Sequence, residues 1–87
     1  MAAHDFQQQA SPPRISAEGF QQIVRGDLIT YLLAADMQPI NPLREWHGRV
    51  EKHYPAGWVE VILLDEGFVG ERERVLCTEI LSVTKLG

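Results

Sequence analysis

Cysteine is nearly missing from this sequence. Cys77 stands alone in 87 residues, so no internal disulfide closes and no thiolate-rich zinc site forms. Basic residues are also in short supply, with 8 Lys and Arg against 12 Asp and Glu, for a net charge of −4. Phosphate binding through counterion release needs clustered cations, so nucleic acid is a disfavoured partner. No apolar run approaches the roughly 20 residues that cross a bilayer, and Met1 to Gln9 lack a basic stretch followed by an apolar one. The expectation is a chain with no membrane span and no standard export signal, in a reducing cytoplasm. Internal repeats and extended low-complexity tracts are missing as well.

What remains is ordinary globular material, 45% hydrophobic and 23% charged, enough for one small domain. Residues 1–14, with Gln7 to Gln9 and Ser11-Pro12-Pro13, bury almost nothing and read as a mobile, disordered N-terminal tail. The domain then occupies 15–87. Ser16 caps a short predicted helix running to Val24, with Phe20, Ile23 and Val24 on one face. Gly26 is expected to stop it. Leu28 to Leu33 is rich in β-branched and aromatic residues and reads as the first strand. Pro39 and Pro42 make Ala34 to Leu43 a long loop. Further strands are predicted at Glu45 to Tyr54, Trp58 to Leu64, Glu71 to Leu76 and Ile80 to Thr84. Pro55 and Gly57 suit a three-residue hairpin loop between the second and third. A brief turn at Cys77-Thr78-Glu79 precedes the fifth.

Five short strands, a long first loop, a tight central hairpin and a one-turn break before the last strand suggest a mainly β, five-stranded, strongly bent barrel. From about Gly26 to Val83 the chain resembles the SH3-like barrel family and its Tudor-like and KOW-like relatives. The resemblance rests on Gly26-Asp27-Leu28-Ile29, the central hairpin and Glu79-Ile80-Leu81-Ser82-Val83. It implies a binding module rather than an enzyme. The glycine and basic pattern of the KOW-like branch is missing.

No residue pattern points to catalysis, a cofactor or a metal. His47 and His53, six apart on one strand, are expected on the same face but about 20 Å apart, too far to share an ion. Cys77 has no base near it in sequence, and Ser82 has no glycine-flanked elbow. Asp65-Glu66-Gly67 reads as a solvated acidic turn, since Phe68-Val69 breaks any series of calcium ligands. Arg25-Gly26-Asp27 matches a short adhesion tripeptide that is common by chance.

Binding candidates are the aromatics Tyr31, Trp46, Tyr54, Trp58 and Phe68, which lie in or beside strands that line SH3-like grooves; the competing reading is that they fill the core. If Tyr54 pairs with Trp58, Lys52 faces Glu60, Val50 faces Ile62 and Gly48 faces Leu64. A four-residue loop would pair Val50 with Val61 but set Glu51 against Glu60. In the first register Val59, Val61 and Leu63 form an apolar strip that needs a cover: the N-terminal helix, the closing strand or a second copy in a homo-oligomer. The expected function is a non-enzymatic protein-interaction module for a protein or peptide partner. The alternative is a small nucleic-acid-associated barrel, should Arg44, Arg49, Lys52, Arg72 and Arg74 converge.

Overall fold

The structure is a computed structural model that describes residues 14–33 and 44–86. The expected tail through residue 13 and the long loop 34–43 lie outside the described residues. Arg14, the last residue of the expected tail, donates from Nε to the Thr78 carbonyl at 3.0 Å.

A short helix α1 (Ala17–Gln21) precedes strands β1 (Leu28–Tyr31), β2 (Trp46–Tyr54), β3 (Trp58–Leu63), β4 (Arg72–Leu76) and β5 (Ile80–Thr84). The strands form one antiparallel sheet in the order β4-β3-β2-β1-β5. The expected mainly β class therefore holds. The two edges, β4 and β5, are joined by only a 3-10 turn, Cys77–Glu79. That turn brings the end of one edge beside the start of the other. Glu79 closes it by accepting from the Leu76 amide at 2.9 Å.

Helix α1 is capped as expected, with the Ser16 hydroxyl accepting from the Gly19 amide at 3.0 Å. Five residues have no helical stability of their own, so α1 persists because Phe20 is buried. The helix is shorter than the expected span to Val24. Ile23 is buried beyond its end, but Val24 is 56% exposed and leaves the shared face. Gly26 is not the helix stop. It lies in the turn before β1 with φ +96°, where a side chain would be strained. Its amide donates to the Val50 carbonyl at 2.8 Å, and the Val50 amide donates to the Asp27 carbonyl at 2.8 Å. Pairing in β1 ends at Tyr31 rather than Leu33, because the Leu32 amide turns to the Glu79 carbonyl at 2.9 Å.

The central hairpin has the expected three-residue loop. Tyr54 pairs with Trp58, and Gly57, at φ +145°, donates to the Tyr54 carbonyl at 3.0 Å. Beyond Lys52↔Glu60 the expected register fails. A bulge at Glu51 shifts the pairs to Val50↔Val61, Arg49↔Ile62 and Gly48↔Leu63. The bulge reconciles the two registers weighed above: the aliphatic pair Val50–Val61 forms, and Lys52 still opposes Glu60. Glu51 is left as the extra residue, with Arg25 and Arg49 each 4.0 Å from its carboxylate. The bulge also reverses the phase of β2. Without it Trp46, Val50 and Lys52 would share a face, placing Lys52 in the core.

Val59, Val61 and Leu63 belong to one core cluster with Phe20, Ile23, Ile29, Tyr31 and Ile80. The N-terminal segment and β5 of the same chain thus cover the apolar strip.

Candidate functional site

The structure sorts the candidate binding residues into three groups. Tyr31, Val59 and Val61 are 0% exposed, Leu63 4% and Trp46 8%; these five are core. Tyr31 also donates its hydroxyl to Glu73 at 3.0 Å. Burial, reinforced by the Glu73 charge, pushes the phenol well above its ordinary range.

Trp46 and Phe68 form the second group, meeting edge to face at 5.2 Å, with the Arg44 guanidinium 3.8 Å from the Trp46 ring centroid. Phe68 is partly exposed and its neighbour Val69 more so.

The third group is assembled on the outer side of β2, β3 and β4. The Tyr54 and Trp58 rings stack at 3.8 Å and 11° between planes, and the Arg74 guanidinium lies over Trp58 at 4.2 Å. Directly opposed residues of a sheet point to the same side, and that side alternates along each strand. The register therefore builds three outer rows: Tyr54-Trp58-Leu76, Lys52-Glu60-Arg74 and Arg49-Ile62-Arg72. Leu76 is 47% exposed, and Arg49, Lys52, Arg72 and Arg74 are all exposed. Four of the five basic residues considered from sequence thus share one face, although the chain as a whole is acidic. Glu60 interrupts them at the centre, 3.8 Å from Arg72. The face offers flat rings, two aliphatic side chains, three guanidinium groups and a lysine, with the Glu60 carboxylate beside Arg72 and the Glu51 carboxylate beside Arg49. Sequence reasoning paired Tyr54 with Trp58 correctly but missed Arg74 over Trp58, because it assigned no register between β3 and β4.

The remaining chemical candidates resolve into structural roles. His47 and His53 lie on opposite faces, since the bulge stands between them. His53 faces inward opposite Val59, its ring 4.7 Å from Phe20 and its buried Nε2 without a hydrogen-bond partner. The Asp65 turn is more than a solvated acidic loop. Its carboxylate accepts from the His47 amide at 2.8 Å and bonds the His47 ring Nδ1 at 2.8 Å, stapling the β3–β4 connection to β2. Burial alone would raise the Asp65 pKa; the His47 bonds and the charges of His47 and Arg44 outweigh it and hold the carboxyl below its usual range. Asp27 of the adhesion-like tripeptide is only 3% exposed, bonded to the Val24 amide at 2.9 Å and to Lys85 at 2.6 Å. It is not presented to a receptor. Among the described residues, no group of three or more His, Cys, Asp or Glu is placed to hold a metal ion, and no helix is long and apolar enough to cross a membrane.

A cleft of about 360 Å³ lies between α1, the β2–β3 turn and the 3-10 turn, lined chiefly by Ile15, Phe20, Pro55, Gly57 and Cys77. The Gln21 amide bridges its mouth to the Pro55 carbonyl at 3.2 Å. No protein-family model, curated protein or solved structure matches the chain, so the geometry alone carries the functional argument.

Proposed function

We propose that this domain is a non-enzymatic protein-interaction module of the cytoplasm, built as a small SH3-like barrel, and that its partner docks on the outer face of β2, β3 and β4. The observation that carries this reading is the Tyr54-Trp58-Arg74 stack, which lies on that outer face beside Leu76. Large rings next to arginine are the residue types that dominate binding hot spots. The barrel reading is supported by the strand order and by the three-residue link between the two edges. Burial of Val59, Val61 and Leu63 within one copy removes the motive for a homodimer over that strip.

Nucleic acid is the second reading, favoured by the convergence of Arg49, Lys52, Arg72 and Arg74. Against it stand Glu60 within the basic face and the net charge of −4. The test is selection of random 12-residue peptides displayed on phage against the folded domain, with Trp58→Ser and Arg74→Glu as counter-targets. The proposal expects enriched peptides that bind the native domain and lose both variants. Enriched peptides indifferent to both substitutions would contradict it.

A further inference from the structure

We infer that the docking segment of the partner is an extended acidic peptide with an apolar side chain among its carboxylates, lying along β3 between two columns of cations. This rests on the outer-face reading above and names its partner class. Arg49 and Lys52 form one column on β2, and Arg72 and Arg74 the other on β4. Two strand spacings separate them, about 10 Å. An extended chain directs alternate side chains to opposite sides, so a peptide above β3 sends its carboxylates to both columns. The apolar side chain, at the level of Glu60 and directed to the β4 side, meets the Arg74-Trp58 stack.

Charge complementarity selects the acidic class. Arginines and a lysine gather on this face of a chain whose net charge is −4, so other surfaces repel an acidic segment and this one attracts it. Glu60 then separates peptide from nucleic acid. It stands between Lys52 and Arg74 on the track of the ligand. A phosphodiester chain repeats its charge at every unit and cannot spare that point, whereas a peptide places a neutral residue there. A central repulsive group of this kind discriminates against the uniform polyanion.

The test uses the full chain and three fluorescein-labelled probes at low salt. They are a nonapeptide with four Glu on each side of a central Phe, the same peptide with Gln for Glu, and a 12-nucleotide oligothymidylate. The expected result is anisotropy saturation with the Glu peptide, with the Gln peptide and the oligonucleotide each at least about tenfold weaker, equivalent to about 1.4 kcal/mol. Arg72→Gln and Arg74→Gln should each weaken the Glu peptide severalfold while leaving the melting temperature near that of the native chain. Glu60→Gln should strengthen the oligonucleotide more than the peptide. Tighter binding of the oligonucleotide than of the Glu peptide would overturn the inference in favour of nucleic acid. Equal binding of Glu and Gln peptides, both lost in Trp58→Ser, would overturn the acidic class while sparing the docking face. Failure of the Glu peptide to bind at about 1 mM would also overturn the inference, and the phage selection would still decide the face independently.

Discussion

The two sides of β3 are both largely apolar, yet they meet different surroundings. Val59, Val61 and Leu63 are almost completely buried, while Trp58, Glu60 and Ile62 on the other side remain half open. Across the inner side lie Val50, Gly48 and Val75 together with His53 and Glu73; across the outer side lie Tyr54, Leu76, Lys52, Arg49, Arg72 and Arg74. Apolar content in one strand therefore does not separate core from interface. What separates them is the strand on either side, which supplies four Lys and Arg side chains to the outer face and neither residue type to the inner one. The inner side is closed by the chain's own helix and β5, and the outer side is left for something else.

The sharpest break in this contrast is Val61→Glu. A carboxylate at a fully buried aliphatic position should cost at least about 4 kcal/mol and leave the domain unfolded by circular dichroism at any protein concentration. A folded, less associated variant would mean that the inner side is an intermolecular surface. Gly48→Ala is next. A Cβ at Gly48 would lie 2.8 Å from Val61 Cγ2 and 2.9 Å from Val61 Cβ, and such overpacking costs about 1–3 kcal/mol. Urea unfolding should show the loss.

Asp65→Asn addresses the link between the β3–β4 connection and β2. The folded carboxyl titrates below its unfolded value of about 3.9. Its contribution is thus fully present above that value and is lost as pH falls through the lowered folded pKa. Urea unfolding should show the variant about 1 kcal/mol less stable near neutrality, with the gap narrowing as pH drops below about 4. A gap independent of pH would place the effect elsewhere. The smallest effect on stability belongs to the outer side, where Arg72→Gln should change unfolding free energy by less than about 0.5 kcal/mol. A loss comparable to that of Gly48→Ala would make the outer face structural rather than a binding surface.

Much of this fold is legible in the sequence, because turn chemistry and β-branched runs are local signals. Gly57 and Pro55 place the hairpin, Ser16 places the helix cap, and the bounds of β5 coincide with Ile80 to Thr84. The end of β1 is not local: the Leu32 amide is taken by Glu79, far along the chain. The end of α1 is local but lies outside helical periodicity, since the Asp27 carboxylate takes the Val24 amide from the turn that follows. The bulge at Glu51 is decided by two strands together, since it lets Val61 close over Gly48 and pairs Val50 with Val61. One signal did exist in the sequence: an unbroken β2 would put Lys52 on the core side with Trp46 and Val50. The phase reversal brings Arg49 opposite Ile62, and the β4 register brings Arg72, Arg74 and Leu76, so only the Tyr54-Trp58 and Lys52-Glu60 pairs of the candidate surface could be read from the sequence.

The central claim is that the outer side of β2, β3 and β4 is the binding face. Titrating the Glu-rich Phe nonapeptide into the isotopically labelled domain and following amide chemical shifts tests it most directly. The account predicts shifts confined to Arg49, Lys52, Tyr54, Trp58, Glu60, Ile62, Arg72, Arg74 and Leu76, with the Trp58 indole signal moving and that of Trp46 still. Shifts gathered instead at Ile15, Phe20, Ala56 and Cys77 would place the ligand in the cleft beside α1 and contradict it.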